Sequence, residues 1–135
     1  MKETNMCQAT SIEYLRSFCK EFHAVAPKSF WDAPDDVLKR TYNGIGAEHW
    51  SPKIRAVITA VLRPLQAAAF VHDWEFSQPE KSFFKFTVAN YHLALNVAKE
   101  AIYDCRPSVI PAGIAAAILC ELFGYKAYKA GRIPA

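Results

Sequence analysis

The ten residues Ala67 to Phe76, AAAFVHDWEF, set the hardest condition on any fold this chain adopts. So apolar a run has to be buried, yet it carries His72 and Asp73, two ionisable side chains. Burying either one costs free energy unless it finds a polar partner. Candidate partners stand on both sides in sequence. Upstream lies a glycine-rich turn, Tyr42-Asn43-Gly44-Ile45-Gly46, and downstream a polar patch, Asn90-Tyr91-His92. Whether these three pieces converge decides what the chain can do.

At 135 residues the chain is expected to form one domain over 1–135, long enough to bury a core. Apolar residues make up 52% of it, which places it among folded chains. The formal charge of +3 is spread without a dense basic run, so nucleic acid is not an expected partner. Cys7, Cys19, Cys105 and Cys120 form no Cys-x-x-Cys pair and are expected as free thiols, three of them in apolar helical surroundings. The N-terminal residues MKETNMCQATSIEY lack the apolar core of a signal peptide. Val109 to Phe123 is apolar but shorter than the roughly 20 residues of a spanning helix, and Pro111, Gly113 and Glu121 interrupt it. No transmembrane segment is expected, and the cytoplasm is the expected location.

Helical spacing dominates the pattern. Ile12, Leu15, Phe18, Cys19 and Phe22 recur at threes and fours and mark a first helix over 11–25. Asp35 to Arg40 reads as a short helix that starts on acids and is broken by the Gly44/Gly46 turn. Ser51-Pro52 is an N-cap followed by proline at the first helical position. The helix from there is apolar nearly all round and is expected to be central. Pro64 bends or ends it, and a second segment from Leu65 to about Phe76 carries His72-Asp73. A turn over 77–81 leads to a long helix from about Ser82 to Asp104. A last helix spans about 108–122, with its continuation past Gly124 left open, and the basic tail over 126–135 is expected to fray. The expected fold is all-α: a compact bundle of about five helices, with the His-Asp helix antiparallel to its long partner.

That pairing places His72 opposite the stretch from Phe86 to Asn90. A side-chain oxygen of Asn90 on one ring nitrogen would fix the tautomer and leave the other nitrogen to take a proton from water. Asp73, a third of a turn away, together with outward carbonyls of the glycine turn, makes a hard-oxygen site suited to Ca²⁺. Water polarised there, with His72 as base, is a hydrolytic arrangement. Glu75, His92 and His23 read as surface or helix-end residues.

His72-Asp73-Trp74-Glu75-Phe76 resembles the His-Asp-x-x-Tyr core of the secreted phospholipase A2 superfamily. Tyr42-Asn43-Gly44-Ile45-Gly46 looks like its Tyr-x-Gly-x-Gly calcium loop, and Ala89 to Leu93 with Asn96 resembles the segment that carries its Asp, so the likeness spans about 42–96. The resemblance implies His72 as general base and Asp73 as a Ca²⁺ ligand, with carbonyls from Tyr42, Gly44 and Gly46. It also implies Asn90 in the place of the His-orienting Asp, and a phospholipid or other lipid as substrate. Trp31 and Trp50, with Phe30 and Phe76, would line an acyl channel. The chain departs from the family at four places: Asn90 and Phe76 stand for Asp and Tyr, and Ile45 and Glu75 occupy expected cysteine positions.

Two other functions follow from the same residues. One is a non-catalytic lipid-binding or phage- or assembly-associated module on this scaffold, which the changes at Asn90 and Phe76 favour. The other is a metal-dependent phosphohydrolase of the His-Asp type, using His49, His72-Asp73 and Asp104 with a transition metal. Oligomeric state is left open.

Overall fold

The computed structural model describes residues 12–41 and 52–130. Within them the chain forms helices α1 (Ile12–Glu21), α2 (Lys28–Asp32), α3 (Asp35–Thr41), α4 (Pro52–Leu62), α5 (Gln66–Ser77), α6 (Phe83–Tyr103), α7 (Ile110–Phe123) and α8 (Tyr125–Ala130). Single 3-10 turns, Arg63–Leu65 and Pro107–Val109, separate α4 from α5 and α6 from α7. The described residues contain no strand, so the architecture is all-α.

Three antiparallel helices make the frame. Residues 78–82 turn α5 into α6, and Ser82 caps α6 by accepting the Lys85 amide on Oγ at 3.1 Å. α6 runs for 21 residues, about 31 Å. Along α5 the partners Ala68, His72 and Phe76 meet Glu100, Asn90 and Phe86. Rising numbers on one helix meet falling numbers on the other, which fixes the antiparallel pairing. α7 returns along α6 in the same sense: Gly113 lies against Val97, and Glu121 against Thr87 and Asn90. A Cβ at Gly113 would collide with Val97 Cγ1 and lie 3.1 Å from Leu65 Cδ1, so this crossing needs glycine.

Pro64 has the consequence its chemistry demands. It cannot donate to a carbonyl one turn back, so α4 ends, a 3-10 turn follows and a new helix begins. The first amides of α5 then lack carbonyl partners, and no side chain at its N-cap bonds to them. Glu100 of α6 meets this need by accepting the Ala68 amide at 2.9 Å on Oε1. Its carboxyl is 3% exposed, and burial pushes it up to about 7.

α5 is a central helix of the bundle. Eight of the twelve residues of α5 are buried. Ala67, Phe70, Val71 and Trp74 face a cluster built from α1, α2 and α3, while Ala68 faces a second cluster with α4, α6 and α7. α4 instead leaves Ala56 and Ala60 exposed, with Val57 at 55%. Of its other described side chains, Leu62 lies in the second cluster and Val61 packs against it.

The ends of the helices hold the remaining surprises. α1 and α6 each close with a non-glycine residue in the left-handed region, His23 and Cys105, both at φ 59°. At each end the amide after that residue reaches back five positions, Ala24 to Cys19 and Arg106 to Ala101. This puts Cys105 on an exposed turn rather than in apolar surroundings, while Cys19 and Cys120 are buried free thiols. The segment from Lys126 does not fray throughout. It continues as α8, and Tyr128 is buried against Phe76 and Phe86. No helix of the described residues is long and apolar enough to cross a membrane.

Candidate functional site

His72 sits on the face of α5 turned to α6, 8% exposed. Its Nε2 is 2.8 Å from Asn90 Oδ1. The amide of Asn90 is held on its other side as well, where Nδ2 donates to Glu121 Oε1 of α7 at 2.9 Å. Glu121 Oε2 in turn accepts from Thr87 Oγ1 at 2.9 Å. Three helices thus contribute to one chain of hydrogen bonds, Thr87–Glu121–Asn90–His72. With Oδ1 as acceptor, the proton of the neutral ring is on Nε2, and Nδ1 carries the lone pair.

The surroundings keep that ring neutral. Burial pushes the His72 imidazole down to about 4, and the Asn90 hydrogen bond only partly opposes it. The Phe76 ring lies 4.1 Å from the imidazole, centroid to centroid, and is itself packed by Phe86 and Tyr128. Lys81 closes this aromatic group. Its Nζ donates to the Phe76 carbonyl and lies 4.4 Å from the centre of the Tyr128 ring, and burial pushes it down to about 8. Phe76 therefore packs an apolar ring against the imidazole and brings no hydroxyl to it.

Asp73 projects about 100° further round α5 and is half-buried. Its charge helps push the buried Cys120 thiol up to about 12, after desolvation, so it lies on the side of α5 near α7. Tyr42, Gly44, Gly46 and Trp50, the other expected members of the site, lie outside the described residues, as does His49. The expected calcium donors are all oxygens, a carboxylate with backbone carbonyls, which is the chemistry Ca²⁺ takes. Asp73 is the one of them that the described residues include. Those residues contain no group of three or more His, Cys, Asp or Glu that could hold a metal.

Several expected positions are corrected. Trp31 is not beside His72. It packs on Phe30, and Phe30 on Phe70, so it belongs to the cluster on the far side of α5. Glu75 and His92 are not surface residues but a partly buried pair, Oε2 to Nδ1 at 2.8 Å. Burial pushes the Glu75 carboxyl up, and that carboxyl in turn holds His92 up. Asn96 serves the fold: it accepts the Val25 amide at 2.7 Å and donates to the Val25 carbonyl at 2.9 Å, pinning the α1–α2 link to α6. Asp104 caps the far end of α6 and pairs with Arg106. It stands 14 positions beyond Asn90, about 21 Å along the helix, so it does not join His72 and Asp73.

Glu121, Thr87 and Tyr128 complete the surroundings of His72 and were not singled out as site residues from the sequence. A signal did exist for Glu121, the lone charge in the apolar run from Val109 to Phe123. Comparison of the chain with protein-family models, with curated proteins and with solved structures finds no match.

Proposed function

We propose that this chain is a phospholipase A2-like ester hydrolase with His72 as its general base. One observation carries the proposal: the hydrogen bond from a buried His72 Nε2–H to Asn90 Oδ1, which leaves the Nδ1 lone pair to take a proton. Nδ1 accepts a proton from water, and the hydroxide adds to the ester carbonyl. The same proton then passes to the departing alkoxide, giving a fatty acid and an alcohol. Calcium held by Asp73 with the carbonyls of Tyr42, Gly44 and Gly46 would supply positive charge to the carbonyl oxygen. The low basicity of His72 keeps the ring neutral at neutral pH, with Nδ1 unprotonated. Exposed Phe83, Phe84, Leu122 and Phe123 at the same end of the bundle suit a lipid partner. We place the protein in the cytoplasm, where its free thiols persist.

The test is calorimetric titration of Ca²⁺ into wild type and Asp73→Ala, followed by a fatty-acid release assay on phospholipid vesicles. Binding and release in wild type, both lost in Asp73→Ala, are expected. Equal release with and without Ca²⁺, unchanged by the substitution, contradicts the proposal.

A lipid-binding module without chemistry is the second candidate, and the Phe76 ring over the imidazole favours it. In that case vesicle binding persists in His72→Ala and no ester is cleaved. A His-Asp phosphohydrolase draws no support from the position of Asp104.

A further inference from the structure

We infer that Glu121 is a positioning residue for His72, acting through Asn90 to decide which nitrogen of the imidazole is the base. The inference rests on the reading of His72 as general base. An asparagine alone cannot make that decision, because its amide presents an acceptor on one side and a donor on the other. Rotated by half a turn, Asn90 would offer Nδ2 to His72, the ring would have to accept on Nε2, and its proton would sit on Nδ1. That is the wrong tautomer for a base facing away from α6. A carboxylate can only accept, so Glu121 at 2.9 Å admits Nδ2 and rejects Oδ1. Thr87 holds the second carboxylate oxygen and thereby the orientation of the first.

The arrangement also accounts for asparagine at position 90. An Asp there would set two carboxylates against each other at hydrogen-bond distance, and one would have to carry a proton. With the amide in between, the negative charge of Glu121 polarises Nδ2–H, and through it Oδ1, toward the imidazole. As His72 takes a proton in the reaction, that polarised oxygen stabilises the charge. The carboxylate is thus present in the site, one residue further from the ring than a direct His–Asp pair would place it.

The test is ¹⁵N NMR of the His72 ring at pH 7 in the full chain, comparing wild type, Glu121→Gln and Glu121→Ala. Wild type should show a protonated Nε2 and an unprotonated Nδ1. Glu121→Gln can still accept from Asn90 through Oε1 and donate to Thr87 Oγ1, so it should keep that tautomer. Glu121→Ala frees the amide to rotate, and the tautomer ratio should shift about tenfold toward Nδ1–H, the worth of one hydrogen bond. In the release assay its kcat should fall about 10-fold or more with KM unchanged, and Glu121→Gln should restore most of it. A wild type already carrying its proton on Nδ1 overturns the inference, even if Glu121→Ala fails to fold. So does an unchanged tautomer in a folded Glu121→Ala. Should wild type release no fatty acid, the hydrolase reading fails, while the ring spectra still decide the role of Glu121.

Discussion

The Glu100 carboxylate accepts the Ala68 amide at 2.9 Å, so a side chain of α6 caps the helix that carries His72. Two buried ionisable groups, Glu100 and His72, therefore flank the same stretch of α5, and burial shifts them in opposite directions. Glu100 rises from 4.5 to about 7 and His72 falls from 6.5 to about 4.

These shifts predict opposing pH dependences of stability. Folded Glu100 keeps its proton after the unfolded chain has lost it, so its contribution is complete below about 4.5 and is lost as pH rises through about 7. Folded His72 resists a proton that the unfolded chain accepts, so its contribution is complete above about 6.5 and is lost as pH falls toward about 4. Each is worth up to about 3 kcal/mol. Urea unfolding at pH 5 and pH 7.5 separates them. Glu100→Gln should gain stability relative to wild type as pH rises across this interval, and His72→Gln should gain relative to wild type as pH falls. Parallel profiles for wild type and both variants would contradict these assignments.

Asn96→Ala should cost about 2–4 kcal/mol, because it strands both the amide and the carbonyl of Val25. Amide exchange at Val25 should speed up beyond the change in global stability. Since the side chain of Asn96 bonds to Val25 and His72 bonds to Asn90, folded Asn96→Ala should keep the wild-type ring tautomer.

Gly113→Ala should destabilise by about 1–3 kcal/mol. The added methyl meets Val97, a branched and fully buried side chain, and Leu65 beside it. Thermal unfolding of this variant beside Gly113→Ser would measure the cost of the close α6–α7 crossing. An unchanged midpoint would mean the helices separate freely there.

Much of the frame was legible in the sequence because it follows from local chemistry. Pro64 ends one helix, Ser82 starts another, and a short turn between two helices leaves them antiparallel, which is enough to set Asn90 against His72. What could not be read depends on neighbours distant in sequence. The burial of α5 on its second face comes from the packing of α1 to α3 on Phe70 and Trp74. Tyr128 sits in a short basic segment whose fixation comes from the Phe76 and Phe86 rings. Glu75 and His92 look like solvated charges until the α5–α6 pairing sets them together. Glu121 lies 31 positions from Asn90, and only the return of α7 along α6 brings it to the amide.

The central claim, that His72 is the base of an ester hydrolase, is tested most directly by Ca²⁺-dependent fatty-acid release from phospholipid vesicles, wild type against His72→Ala. The expected result is release by wild type and a loss of at least about 100-fold in His72→Ala, with the helical content of the variant unchanged. Equal release by the two proteins would contradict the claim, as would none by either while both bind the vesicles, a result that would leave the site as a scaffold for binding.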